Sequence, residues 1–326
     1  MVCKSCGKPA RFLGSNRSGS RRFQCRVCRR TFTENPKHVF RTEEYLAEPR
    51  GLLALQFLLE GASVRSVERI TGLHRDAVLK LLVYAGNQCD KVMDRFIRNV
   101  HATDVQCDEA WSYVYKKEKH KTPEEADDEF IGDAWCWVAF ERETKMVLAW
   151  TLGRRTLEKA FEVMLKLRRA TSPKCRFQLT TDGLQAYLSA VDEMIRDRCD
   201  FAQLIKVYRQ PLPEEGEQRY SPAEVAETVK QVISGNPDPD RICTSHVERF
   251  NLTLRTQIRR LTRLTNGFSK KWENLYAALS LHIAYYNFCQ IHGSLRVTPA
   301  MQAGITDHVW SLKELLLVAQ RCNEER

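Results

Sequence analysis

Four cysteines near the start of the chain, Cys3, Cys6, Cys25 and Cys28, form a C-x2-C pair, an interval of eighteen residues and a second C-x2-C pair. That spacing lies within the range of four-thiolate zinc sites. The two-residue spacer lets both thiolates of one knuckle reach a single tetrahedral metal at ~2.3 Å. The first 37 residues hold almost no apolar core, and a segment of that kind folds only around such a clamp. Four protein ligands leave no open position, so the expected role of the zinc is structural. The same segment carries ten Lys or Arg against one acid. Its Arg11, Arg17, Arg21, Arg22, Arg26, Arg29 and Arg30 suit contacts to phosphates. The other eight cysteines are scattered from Cys89 to Cys322 and read as reduced, buried thiols.

The whole chain repeats the basic bias. Over 326 residues the formal net charge is +10, which favours an acidic partner, nucleic acid above others. The opening MVCKSCGKPA has no apolar region of the secretory type, and no stretch reaches the ~18 apolar residues of a membrane span. A cytoplasmic protein is expected. Residues 42–98 are helical in pattern. RTEEYLAEPRGLLALQFLLEG reads as one helix closed by Gly61. A second follows from the N-cap Ser63, with Val64, Val67 and Ile70 at helical spacing. A third, HRDAVLKLLVYAG, turns Val78, Leu81 and Leu82 inward and is expected to end before Gly86. The second and third have helix-turn-helix proportions around Gly72, with His74, Arg75 and Lys80 as candidate DNA contacts of a recognition helix.

Beyond residue 100 the pattern changes to strands: DVQCDEAWSYVYKK, DAWCWVAFERE, KMVLAWTLG, CRFQLTTDG and DFAQLIKVYRQ. Two amphipathic helices, TLEKAFEVMLKLRRA and LQAYLSAVDEMI, are interleaved, which indicates an α/β domain. A Pro-rich acidic stretch at about 209–243 reads as an insertion with one short helix. Strand alternation puts Gln106, Asp108, Ala110 and Ser112 on one face and Cys107, Glu109, Trp111 and Tyr113 on the other. Glu109 is therefore expected to point away from Asp108, so that only one of the pair can face a given site. Asp182 stands at the carboxyl end of a strand, where α/β folds place their chemistry. The next segment, TSHVERFNLTLRTQIRRLTR, reads as a basic helix over 244–263 with Glu248 as its one acid. Val247, Phe250, Leu254, Ile258 and Leu261 form its apolar stripe, flanked by Glu248, Asn251, Arg255 and Arg259. Packed by the sheet, this helix would bring Glu248 to Asp108 and Asp182. Three such carboxylates suit a pair of Mg²⁺ or Mn²⁺ ions acting on a phosphodiester. An ion-pairing glutamate and an ordinary Asp-Gly turn are the plainer readings of Glu248 and Asp182.

CDEAWSYV, LTTDGLQAY, VISGNPDPD, SHVERFNLTLR and YNFCQIHGSLRVTPA, together with the cysteine quartet, resemble the DDE-type transposases of the bacterial insertion sequence one family. The resemblance implies a zinc ribbon over 1–37, a helix-turn-helix domain over 38–99, and an RNase H-like catalytic domain over 100–292 with a mixed five-stranded sheet. A helical tail over 293–326 completes the chain. It implies a catalytic triad at Asp108, Asp182 and Glu248 holding two Mg²⁺ or Mn²⁺ ions, with Arg255 in the family's basic position seven residues after the glutamate. DNA contacts are expected from Arg21, Arg22, Arg29, Arg30, His74, Arg75, Lys80 and Arg259. The implied partners are inverted-repeat ends and target DNA, handled by a dimer or larger assembly on the bacterial nucleoid. Tyr286 and His292 lie in a tail segment where Leu279, Ile283 and Tyr286 have the spacing of core residues. A DNA-binding regulator without catalysis, and a nuclease that cuts without joining, are the competing readings.

Overall fold

The computed structural model describes residues 1–3, 5–15, 21–33, 48–208 and 225–324. Arg17, the lead-in to the first helix before residue 48, and residues 209–224 of the expected insertion lie outside them. The chain divides into two compact units, Met1–Tyr45 and Leu46–Arg326.

In the first unit, β1 (Ala10–Ser15), β2 (Arg21–Cys25) and β3 (Thr31–Thr33) make a three-stranded antiparallel sheet. Register aligns Phe12, Phe23 and Phe32 across the strands, with ring centroids 5.8 and 6.0 Å apart. Of the three, Phe12 remains 55% exposed. One rank of rings is too little apolar material to hold a sheet by itself.

The second unit opens with three helices, α1 (Pro49–Leu59), α2 (Val64–Thr71) and α3 (Arg75–Phe96). Pro49 sits at the first turn of α1, where its missing N–H costs no hydrogen bond. The Ser63 hydroxyl accepts the Ser66 N–H at 3.1 Å, as its N-cap reading requires. Gly72 then ends α2 in the left-handed conformation, at φ 72°. The reading of Gly86 as the end of the third helix is corrected. α3 runs ten residues past it, because a different helix presses on that position. A Cβ at Gly86 would lie 2.5 Å from the Ala277 Cα and carbonyl oxygen. Ala277 belongs to α7 (Trp272–Phe288), and the Ser280 hydroxyl donates to the Gly86 carbonyl at 2.7 Å. This glycine sets a close helix crossing.

The sheet contains β4 (Asp104–Val114), β5 (Gly132–Glu141), β6 (Val147–Gly153), β7 (Phe177–Asp182), β8 (Cys199–Tyr208) and β9 (Val225–Ser234), in the order β6-β5-β4-β7-β8-β9. β6, β5 and β4 are antiparallel neighbours, β4, β7 and β8 are parallel, and β9 is antiparallel to β8. The sheet therefore has six strands among the described residues rather than the five expected. The extra strand falls in the Pro-rich stretch read as carrying a helix. VAETVKQVIS is Val-rich, and with β8 beside it to pair, strand formation wins over helical spacing.

α4 (Leu157–Ala170) and α5 (Ala186–Met194) cover one face, and α6 (Ser245–Gln257) lies on the other. Register fixes the assignment. Trp137 pairs with Glu109 and its ring meets Tyr187 of α5 at 5.6 Å. Phe140 pairs with Gln106 and meets Phe250 of α6 at 5.5 Å. The Gln106 amide oxygen also accepts the first N–H groups of α6, from His246 and Val247, at 3.0 and 3.2 Å. The apolar stripe of α6 is buried throughout, from Val247 to Leu261. Its helix is shorter than the 244–263 read from the pattern, ending at Gln257, so Ile258 and Leu261 pack from the turns that follow. Leu279, Ile283 and Tyr286 of α7 are core, as their spacing indicated. Two further helices, α8 (Pro299–Gln302) and α9 (Leu312–Glu324), close the chain. No helix among the described residues is long and apolar enough to cross a membrane.

Candidate active site and metal centres

The last β4–β7 pair is Cys107 with Thr181, so Asp108 stands next to Asp182, the final residue of β7. β4 continues beyond that point without β7 beside it. Glu109 does face the other side of the sheet from Asp108, as alternation required. The expectation that only one of the two can reach a common site is nevertheless corrected. With β7 ended, no strand separates Glu109 from Asp182, and ligand oxygens of Asp108, Glu109 and Asp182 all lie within 4.8 Å of one another.

Each carboxylate is held. Asn251 Nδ2 on α6 donates to Asp108 Oδ2 at 2.8 Å. The Tyr187 hydroxyl donates to Glu109 Oε1 at 2.5 Å, and Arg155 Nε to Glu109 Oε2 at 3.1 Å. Arg155 Nη2 reaches Asp182 Oδ2 at 3.0 Å, and the Leu184 N–H caps Asp182 Oδ1 at 3.1 Å. The support does not offset the crowding. Burial, then repulsion from Asp182, pushes Asp108 up to about 6. Burial and Asp182 push Glu109 up to about 8, against Tyr187 and Arg155. Burial also raises Asp182, outweighing the Leu184 N–H and Arg155. Three crowded acids with one neighbouring guanidinium between two of them are a poor metal-free arrangement and a good set of hard oxygen donors. The group could hold a divalent ion.

Glu248 lies outside that cluster. It is on the first turn of α6, ion-paired to Lys206 of β8, and accepts the Thr244 hydroxyl at 2.5 Å. Both bonds use Oε1, and its side chain is 41% exposed. Its charge is felt at Asp108 and Asp182. Arg255, two turns on, is half-buried, with Nε lacking a hydrogen-bond partner. Burial lowers its pKa, then Arg263, while Asp108 opposes them. Pattern reasoning did not find Glu109, Arg155, Tyr187 or Lys206 as members of this neighbourhood. Asn251 was placed on the correct flank without a partner. The end of β7 at the Asp182-Gly183 turn was the available signal.

The four cysteines of the first unit also converge. Their sulfurs lie within 4.8 Å of one another, with Cys3 3.6 Å from Cys28 and Cys6 3.5 Å from Cys25. The two knuckles repeat one backbone design. Cys3 N–H donates to the Lys8 carbonyl at 2.8 Å and Cys25 N–H to the Arg30 carbonyl at 3.0 Å. Ser5 and Val27 N–H groups each point at the first sulfur of their knuckle at 3.4 Å. Gly7 and Arg29, each just after the second cysteine, are left-handed at φ 66° and 57°. N–H groups aimed at sulfur favour thiolate: the Cys28 and Val27 N–H groups bring Cys25 down to about 6 against burial. Four sulfurs so placed fit a zinc ion.

Arg21, Arg22, Arg29 and Arg30 are exposed in the first unit. His74, Arg75 and Lys80 are exposed on the opening turns of α3, and Arg259 is exposed after α6. No family model and no curated protein matches the chain. Among solved structures, it is similar to a cryo-EM structure of a piggyBac transposase synaptic complex with hairpin DNA. Identity is 11%, the TM-score is 0.38, and the match covers 90% of this chain and 73% of the other. A likeness that distant says nothing of chemistry.

Proposed function

We propose that the chain is a DNA transposase that binds the inverted-repeat ends of a mobile element, cuts a strand there and joins the freed 3′-hydroxyl to target DNA. The convergence of Asp108 and Asp182 at the end of β7 carries this reading. The five strands β6-β5-β4-β7-β8, with β9 added at the edge, agree with an RNase H-like sheet, and the basic composition agrees with a DNA partner.

Asp108 and Asp182 would hold Mg²⁺ or Mn²⁺, with Glu248 as the third ligand. Glu109 has both oxygens engaged and a side chain only 1% exposed. Glu248 has Oε2 outside its two bonds and is open to solvent. Divalent ions at such a site supply charge stabilisation to the attacking and leaving oxygens of a phosphodiester. The chain's own residues do the positioning. Asn251 fixes Asp108, Glu109 holds Arg155 beside Asp182, and Lys206 and Arg255 place positive charge where phosphate oxygens would lie. The zinc knuckles, the start of α3 and Arg259 contribute DNA contacts, and two element ends require at least two chains.

The test is incubation of the full chain with Mn²⁺ and a labelled inverted-repeat end. Cutting followed by joining is expected, and Asp182→Asn and Glu248→Gln abolish it while leaving end binding intact. Full cleavage by Asp182→Asn sinks the assignment. Cutting without joining would instead make the protein a nuclease, and binding without cutting a regulator.

A further inference from the structure

α1, the turn into α2, α7 and the residues after α6 line an open cavity of about 500 Å³. None of Asp108, Glu109, Asp182 or Glu248 lines it, and its wall contains four cations, Arg65, Arg259, Arg260 and Lys270, with no Asp or Glu. Two of its side chains keep buried polar atoms without any hydrogen-bond partner: Arg260 at Nη2 and His282 at both ring nitrogens. His282 is 2% exposed. The one bond of the Arg260 guanidinium among these contacts is long, from Nη1 to the Ser269 hydroxyl at 3.5 Å. A buried guanidinium without a carboxylate is expensive, and so is an imidazole with neither nitrogen used. Burial keeps His282 neutral, at about 4, so one of its nitrogens is an N–H donor at neutral pH. The first residues of the eight-residue α2 line the same space and add the positive end of a helix.

The four cations and the first residues of α2 line one cleft, and its lining supplies no anion to them. An oxyanion with several acceptor oxygens would answer these cations together. We propose that this cavity binds a phosphate group, either of a free nucleotide or of a DNA strand. The proposal concerns groups outside the acid cluster, and it shares Arg259 with the DNA contacts proposed above.

The experiment titrates the full, zinc-loaded chain at low ionic strength with inorganic phosphate, with AMP and with duplex DNA. Labelled phosphate uptake and the melting temperature are followed. Saturable uptake with a rise in melting temperature is expected, weakened about tenfold or more in Arg260→Gln and in Arg259→Gln. Without phosphate, Arg260→Gln should be at least as stable as the parent, since it removes an unpaired buried charge. Displacement of phosphate by duplex assigns the DNA backbone as the source, and tighter binding of AMP without such displacement assigns a free nucleotide. No saturable uptake by the parent, or uptake unchanged in both variants, overturns the proposal. If Arg260→Gln does not fold, Arg259→Gln decides alone. Uptake retained in Asp182→Asn separates this site from the fate of the cleavage reading.

Discussion

Glu109→Gln tests the electrostatics of the acid cluster with little change of shape. Glu109 is 6% exposed, and burial, followed by Asp182, raises its carboxyl from 4.5 to about 8. At 1.36 kcal/mol per pH unit, that rise corresponds to about 5 kcal/mol as an upper bound. The folded state holds this proton more tightly than the unfolded chain. The stabilisation is therefore complete below pH 4.5 and is lost as the pH rises through about 8. Asp108, raised to about 6, adds a second loss in the lower part of the same window. Glutamine keeps an acceptor for the Tyr187 hydroxyl and carries no charge at any pH. Urea unfolding of the full chain, in buffer free of Mg²⁺ and Mn²⁺, should show the parent weakening from pH 5 to pH 9. The variant should lose only the Asp108 and Asp182 parts, gaining on the parent by a few kcal/mol at pH 9. Magnesium added at pH 8 should restore the parent more than the variant. Parallel stability curves for the two proteins between pH 6 and pH 9 would refute the reasoning.

Cys25→Ser should release zinc and weaken binding to element ends, checked by metal content and a mobility-shift titration. Gly86→Ala should destabilise by about 1–3 kcal/mol despite alanine's better helix propensity, because its methyl would meet the Ala277 backbone at 2.5 Å; chemical denaturation reads the difference. Cleavage at limiting Mn²⁺ should rise with pH through about 6 as Asp108 loses its proton. Asn251→Ala should move that midpoint upward by removing the 2.8 Å bond to the carboxylate.

Much of the architecture was legible because it rests on short-range pattern. Ser63 and Gly72 mark the ends of α2 by side-chain chemistry and backbone conformation. The Val247–Leu261 stripe marked the buried side of α6. The failures share a cause: each depends on a contact between distant residues. Gly86 looks like a helix end until α7 presses on it. The Val225–Ser234 strand exists because the edge of β8 away from β7 is free to pair. Glu109 joins Asp108 because β7 stops one residue after its last pair with β4. Alternation along one strand cannot state where its neighbour ends.

The protein also distinguishes acids that serve the fold from acids that burden it. Glu162 on α4 faces burial too, yet Lys159, Thr151 and Lys166 surround it and bring it down to about 2. Its bonds to Lys159 and Thr151 are both 2.6 Å, and ionised Glu162 therefore stabilises the folded state at neutral pH. Asp108, Glu109 and Asp182 are all raised: Asp182 raises both of the others, and Glu248 raises Asp108 and Asp182. Arg155 is shared between two of them, and Asn251 offers Asp108 a neutral donor where a lysine would neutralise it. A cluster selected for stability would have gained cations as Glu162 did. One left short of positive charge, at a strand end and beside the exposed Glu248, could receive that charge from outside the chain.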